Sequence, residues 1–305
     1  MSDHLSLVIL AGNIGKQYEW QKQIDPVGPY RETLLEYSIF DALEIGIRHF
    51  VFIINQDFSA ETKKYFQHII DRNSSQVEFI LQTTYTAVPR SIYDSIDNRK
   101  LPWGTGHALL IAKSHLSHPF IIIDADHLHG RRTFYKAKEL FIERKILPNR
   151  YGLVTYSLLK TITEDDLVSR GLCSLNKDYL KVIKKFNSIH FNNDNEIVSD
   201  EIDEDLVFDN EANVSMNFWI LHPSIFRFLE DKFNSFLKNN AKELDKTFSL
   251  YKVINDMIKE DQLEVIVRKS DERCFGLYNK ESKYKIIENI RNSIEVDIYP
   301  KPLWK

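Results

Sequence analysis

Apolar residues in the first half of the chain come in short, nearly unbroken runs, and between these runs the spacing changes to that of helices. Leu5–Ala11 is such a run, closed by Gly12, the mark of a strand buried on both faces. Thr33 and Glu36 form a capping box, and Leu35, Ile39, Ala42 and Leu43 make one apolar helical face up to Gly46. Phe50–Ile54, Val77–Leu81 and Phe120–Ile123 read as further strands, with helices predicted at Ser59–Ile70 and His107–His115. Strands separated by helices imply a mainly parallel sheet with helices on both faces, where function gathers at the carboxyl ends of the strands. Those ends are the loop from Gly12 and the residues from Asp124 to Gly130.

Beyond residue 150 the pattern loosens. Strands are predicted at Tyr151–Ser157, Leu180–Ile183 and Val214–Ile220, and helices at Ile225–Leu237 and Phe248–Lys259. There is no repeat and no Gly/Ser linker, which favours one composite domain over residues 1–305. Its two halves are residues 1–150, with the regular alternation, and residues 151–305. Asp194–Glu211 carries nine acids in eighteen residues with no Lys or Arg, which reads as a solvated loop. It lacks the glycine that an EF-hand loop needs at its turn.

Composition narrows the class. A formal net charge of −4 excludes a global basic field for nucleic acid or anionic membrane. Two cysteines, Cys173 and Cys274, are too few for a disulfide framework or a Cys-rich zinc site. No apolar run approaches a membrane span, and no secretory signal pattern opens the chain, so a cytoplasmic, soluble protein is expected.

Two segments carry candidate chemistry. In Leu10-Ala11-Gly12-Asn13-Ile14-Gly15-Lys16-Gln17, glycines let the backbone approach a ligand and present amides to phosphate oxygens; a plain tight turn is the simpler reading. The spacing is neither that of a P-loop nor that of the dinucleotide fingerprint. Asp124-Ala125-Asp126 places two carboxylates at a strand end, which suits Mg²⁺, and otherwise would be a solvated turn or helix cap. His127 and His129 flank it without a third His or Cys at useful spacing, so they read as structural rather than as zinc ligands.

Leu10 to Pro29, with Lys22 and Pro26-Val27-Gly28-Pro29, followed by Leu34–Ile39, resembles the N-terminal signature of the sugar-phosphate nucleotidyltransferases. Trp103-Gly104-Thr105-Gly106-His107-Ala108 is similar to that family's base-side loop, and Gln82 falls where a base-reading glutamine is expected. Val168–Cys173, Val214–Trp219 and the closing Tyr299-Pro300…Leu303-Trp304 are similar to the family pattern as well. The resemblance implies a three-layer α/β/α, Rossmann-like nucleotide-diphospho-sugar transferase fold with a mainly parallel mixed sheet. It implies a Mg²⁺-dependent enzyme that joins a nucleoside triphosphate, UTP or dTTP before others, to a sugar 1-phosphate or similar phosphate and releases pyrophosphate.

By the same resemblance Lys22 and Asp126 are catalytic. Ala11, Gly12, Asn13, Gly15, Gln82, Gly104 and Thr105 bind the nucleotide, Arg170 and Asn217 face the acceptor, and Asp126 with Asp124 holds the metal. No nucleic-acid or membrane partner is implied, and a homo-oligomer is compatible with it.

The chain departs from the pattern at several positions. Asn13 stands where glycine is common, Gln17 where an arginine steadies the triphosphate, and His127 where aspartate is usual. Lys185 and Ser188 replace a sugar-contacting glutamate and a phosphate-side lysine, and Ser282 takes the place of an acid beside Glu281. Lys184 and Lys185 read as surface charges on a strand before they read as contacts to an anionic acceptor. These departures motivate a second reading, a catalytically degenerate nucleotide or sugar-nucleotide sensor. A third, a metal-dependent glycosyltransferase, accounts for Asp124-Ala125-Asp126 but not for Gly12–Lys22 or Trp103–Ala108.

Overall fold

The structure, a computed structural model, describes residues 4–12, 24–96, 98–163, 167–201 and 206–304. The first half follows the hydrophobic pattern closely. Strands β1 (Ser6–Ala11), β2 (His49–Ile54), β3 (Gln76–Leu81) and β4 (Phe120–Asp124) lie in the order β3-β2-β1-β4, all parallel. Their connections include α1 (Leu34–Glu44), α2 (Ala60–Arg72) and α3 (Thr105–Leu110). Helix α1 starts at the predicted capping box, with Thr33 accepting from the Glu36 amide and Glu36 accepting from that of Thr33. The predicted helix His107–His115 is shorter than expected and ends in a separate 3₁₀ turn, Lys113–His115.

Successive residues of these strands point to opposite faces, and both faces are covered. Leu7, Ile9, Phe50 and Phe52 pack with α1, α2 and α4 (Arg131–Ile142), including Ile39, Phe66 and Phe134. Val8, Leu10, Val51 and Ile53 pack on the other side with α3, α5 (Ile225–Asn240) and α6 (Leu250–Lys259), through Leu109, Phe233 and Ile254.

The second half is not mainly parallel. Strand β10 (Asn213–Leu221) runs antiparallel between β4 and β6 (Arg150–Ser157), and β11 (Glu264–Lys269) lies parallel to β6. Strands β7 (Val168–Asn176) and β8 (Tyr179–Phe191) form a long antiparallel ribbon. One end of the ribbon meets β11 at Tyr179–Ile266, and the other returns to β10 at Gly171–Ser215 and Leu172–Val214. These pairings close a ring of five strands, β10-β6-β11-β8-β7, and Tyr156, Val168, Ile189, Val214 and Met216 pack together on one of its faces. The ribbon alternates buried with exposed residues, as antiparallel strands wet on one face do. Part of the acidic run is ordered by the same ribbon: β9 (Ile197–Ser199) pairs with β8, and Phe208 is buried.

Two short strands, β5 (His127–Leu128) and β12 (Phe275–Gly276), pair with each other and bring α7 (Lys280–Glu295) beside α1. There the tail packs Tyr299 and Leu303 against Val27, Leu34 and Tyr37. A charged group is sealed beneath it. Asp41 is fully buried and accepts from the Tyr299 hydroxyl at 2.7 Å and Arg131 Nε at 3.0 Å. Arg131 also lies over the rings of Phe40 and Tyr299. Burial pushes the Asp41 carboxyl up to about 7 against the pull of its two donors. No helix among the described residues is long and apolar enough to cross a membrane.

Removing one partner of a buried pair strands the other, which costs about 3–5 kcal/mol, whereas losing one neutral donor costs about 1–2 kcal/mol. Arg131→Met is therefore expected to destabilise more than Tyr299→Phe at pH 8 in urea unfolding. The Arg131→Met loss should shrink at pH 5, where a protonated Asp41 needs no cation. Equal losses at both pH values would mean that Arg131 acts only through its packing on the two rings.

Candidate active site

The carboxyl ends of the strands form the site, and glycine decides the shape of its first wall. Gly104 has φ +106°, which side chains resist, and a Cβ on Gly106 would sit 2.8 Å from the Phe248 ring. The loop can therefore lie flat on the segment before α6. Gly106 N–H donates to the Phe248 carbonyl at 2.9 Å, and Leu250 N–H donates to Thr105 Oγ1 at 3.0 Å. From β3, Gln82 reaches across and donates from Nε2 to the Gly104 carbonyl at 3.2 Å. Its Oε1 lies towards Gly12 at the end of β1, 3.4 Å from where a Cβ would stand on that glycine. Gly12, Gln82, Gly104 and Thr105 thus lie together at this end of the sheet. Ala11 is buried as the last residue of β1. Asn13, Gly15, Gln17 and Lys22 lie outside the described residues.

The second wall is built by a bulge. Strand β10 shifts register between Ser215 and Phe218, and Asn217 adopts φ +59°, a conformation asparagine tolerates better than most residues. The bulge turns its amide towards β4. Asn217 Nδ2 donates to Asp124 Oδ1 at 3.0 Å, and Trp219 Nε1 donates to Asn217 Oδ1 at 3.0 Å. Asn217 therefore holds a carboxylate, and both ends of its amide are engaged. Arg170 is also engaged: it is buried and donates to the Thr161 carbonyl and Oγ1, to the Ser169 carbonyl, and to the Tyr278 hydroxyl at 3.4 Å.

Between the walls lies a cleft of about 290 Å³. Thr105, Asp124, Lys185, Ser215, Asn217 and Tyr251 are among its lining residues. Lys185 is exposed on β8, as expected of a surface charge, and it also lines this cleft. Of the two candidate metal ligands, Asp124 lines the cleft and Asp126 does not. Burial pushes the Asp124 carboxyl up to about 6; His127 and Asn217 oppose the rise, and Asp126 adds to it.

His127 lies behind the carboxylates. Its Nδ1 is 3.0 Å from Asp126 Oδ1 and 3.8 Å from Asp124 Oδ2, at ion-pair range but out of hydrogen-bond alignment with either. Nε2 shares a hydrogen bond of 2.9 Å with the Tyr278 hydroxyl. Burial alone would lower the His127 pKa, but Tyr278 and Asp126 outweigh it and hold the ring well above the usual imidazole range. Its neighbour His129 is driven well below that range by burial and by His127. Cys274 reaches His129 Nδ1 at 3.6 Å, a contact that sequence spacing did not suggest. Among the described residues, no group of three or more His, Cys, Asp or Glu side chains is arranged to hold a metal ion. One or two carboxylates facing a cleft match Mg²⁺ that arrives with a phosphate ligand, not a metal held in an all-protein cage.

Tyr251, Tyr278, Ser215 and Trp219 join the site without having been singled out. Ser215 and Trp219 lie inside a segment that carried the family resemblance, where their neighbours drew the attention.

The chain has the fold of the sugar-phosphate nucleotidyltransferases. It is similar over 94% of its length to a protein assigned as a glucose-1-phosphate thymidylyltransferase from Bacillus anthracis, in complex with sucrose, at TM-score 0.64 and 11% identity over 96% of that chain. It is similar over 95% of its length to the inositol-1-phosphate CTP transferase from T. maritima, at TM-score 0.58 and 11% identity over 97% of that chain. A UDP-glucose pyrophosphorylase in complex with UDP-glucose matches over 95% of this chain and 99% of its own, at TM-score 0.59 and 13% identity. No protein-family model matches the chain. Comparison with curated protein sequences finds no match.

The raised Asp124 pKa has a stability consequence. Between pH 4 and 6 the folded state holds a proton on Asp124 that the unfolded state has lost, so stability falls as pH rises through that window. Asp124→Asn removes this slope. In metal-free buffer the variant is expected to be about 1–3 kcal/mol more stable than the parent at pH 7, relative to pH 4. Parallel pH profiles of the two proteins in urea unfolding would refute it.

Proposed function

We propose that the protein is a nucleotidyltransferase that joins a nucleoside triphosphate to a sugar 1-phosphate or similar phosphate, giving a nucleotide-diphospho compound and pyrophosphate. The observation that carries this reading is convergence. Gln82, Gly104, Thr105, Asp124 and Asn217 come from four separate places in the chain and meet at the carboxyl ends of the strands. The fold is shared with solved transferases of that reaction class.

In this reading the Gly12 side of the site takes the nucleotide and the cleft takes the acceptor phosphate. An acceptor phosphate oxygen attacks the α-phosphorus, the bond from that phosphorus to the β-bridging oxygen breaks, and pyrophosphate leaves with the bond's electron pair. The protein's part is to align the two phosphates and to oppose their charge. Lys185 supplies positive charge at the cleft, and Lys22 is the residue assigned to the triphosphate. Asn217 holds the Asp124 carboxylate in one orientation, with Asp126 beside it. Asp124, which lines the cleft, would hold Mg²⁺ with Asp126 and the phosphates, and the ion would supply neutralisation of the charge that develops on the α-phosphate and the leaving group.

Pyrophosphate release is the test, run with UTP, dTTP, CTP, ATP or GTP against a panel of sugar 1-phosphates and Mg²⁺. Release that requires both substrates is expected, with uridine or thymidine triphosphate preferred. Asp124→Asn and Lys22→Ala should each lower kcat by roughly 10²–10³ while the protein stays folded. Nucleotide binding without turnover under every combination would instead favour a sensor.

A further inference from the structure

Behind Gln82 lies a buried histidine. His107 is fully buried in α3 and stacks on Phe233 with ring centroids 5.0 Å apart. Its Nε2 is 2.7 Å from the Thr86 carbonyl oxygen, and its Nδ1 is 3.0 Å from Gln82 Nε2. A carbonyl oxygen can only accept, so the proton of the neutral ring must sit on Nε2, leaving Nδ1 as a lone pair. Desolvation lowers the His107 pKa to about 4, and the nearby Arg99 also disfavours a second proton.

Gln82 therefore faces two acceptors, the Nδ1 lone pair and the Gly104 carbonyl. Only the amide NH₂ satisfies both, one hydrogen to each; the flipped amide would set its oxygen against two lone pairs. Gln82 Oε1 is then left as an acceptor, with no partner among the described residues, facing Gly12.

We infer that His107 is a positioning residue that locks the Gln82 amide, so that the nucleotide side of the site recognises its base through an N–H donor on the base edge. The inference rests on the nucleotidyltransferase reading for the identity of the ligand, but the lock itself does not. A glutamine free to flip accepts from or donates to whatever edge it meets. A locked one rejects a base that offers only a lone pair or a methyl group there, since Oε1 would lose water without gaining a partner.

Two measurements separate the lock from the reading. In the unliganded protein, the ¹⁵N shifts of His107 should show a neutral ring protonated at Nε2 from pH 8 to 5.5; an imidazolium or an Nδ1–H tautomer at pH 7 overturns the lock. Thermal shifts are then compared for the stabilising triphosphate and its analogue methylated at the base edge (N3-methyl-uridine, N4,N4-dimethyl-cytidine, N6,N6-dimethyl-adenosine or N1-methyl-guanosine triphosphate). Binding at least about tenfold weaker for the analogue is expected. Equal binding refutes the donor requirement and leaves the function reading intact. If no triphosphate binds, it is the nucleotidyltransferase reading that falls, while the tautomer result still decides the lock. Two variants test positioning: His107→Asn offers Oδ1 near the Nδ1 position and should keep the discrimination, whereas His107→Leu should lose it. Equal discrimination by the two variants overturns the positioning role.

Discussion

Strand β10 is the constraint on which the two halves of the molecule depend. It is hydrogen-bonded to β4 of the parallel half on one side and to β6 on the other, and its first residues also pair with β7. A strand flanked by two neighbours cannot satisfy a third along its full length, and the bulge between Ser215 and Phe218 resolves that conflict. Residues before the bulge serve the five-stranded ring, and Trp219–Leu221 after it serve the sheet that carries Asp124. Asn217 sits at the change-over, so the same irregularity that joins the halves also fastens a side chain to the β4 carboxylate.

The polar groups of the site are mostly spoken for, by partners that dictate which way each one faces. Trp219 turns Asn217 towards Asp124, and His107 with Gly104 turns Gln82 towards Gly12. Arg170, whose sequence position suggested an acceptor contact, lines the cleft and also anchors the turn at Thr161. In a buried site each such hydrogen bond removes a rotamer that would otherwise compete with the one that meets a ligand.

The parallel half was legible because its strands are buried on both faces. Runs such as Phe50–Ile54 and Phe120–Ile123 carry no other interpretation, and Thr33 with Glu36 marks a helix start through purely local hydrogen bonds. Much of the second half was not. β7 and the far end of β8 mix lysines and serines with a sparse apolar face, and that face is buried only because Phe208, Met216 and Cys274, farther along the chain, pack on it. In the site, glycines and paired acids announce themselves in a sequence. What Asn217 and Arg170 do depends on a bulge and on how the turn at Thr161 folds back on β7, which no local pattern reports. Lys185 likewise reaches the cleft only because the ribbon folds back on β10.

The tail that covers α1 ties together segments about 260 residues apart. Tyr299 bonds to Asp41, and Trp304 Nε1 donates to Glu36 at 2.8 Å. Helix α1 follows directly from the segment that leads out of the Gly12 loop, and its buried acid has no hydroxyl partner until residue 299 has been made. During synthesis the first half can assemble its sheet early, since those contacts are short in sequence. Completing the surroundings of Asp41 must wait for almost the whole chain. A chain cut short before Tyr299 would therefore keep its parallel sheet while leaving the buried Asp41 without the hydroxyl that donates to it.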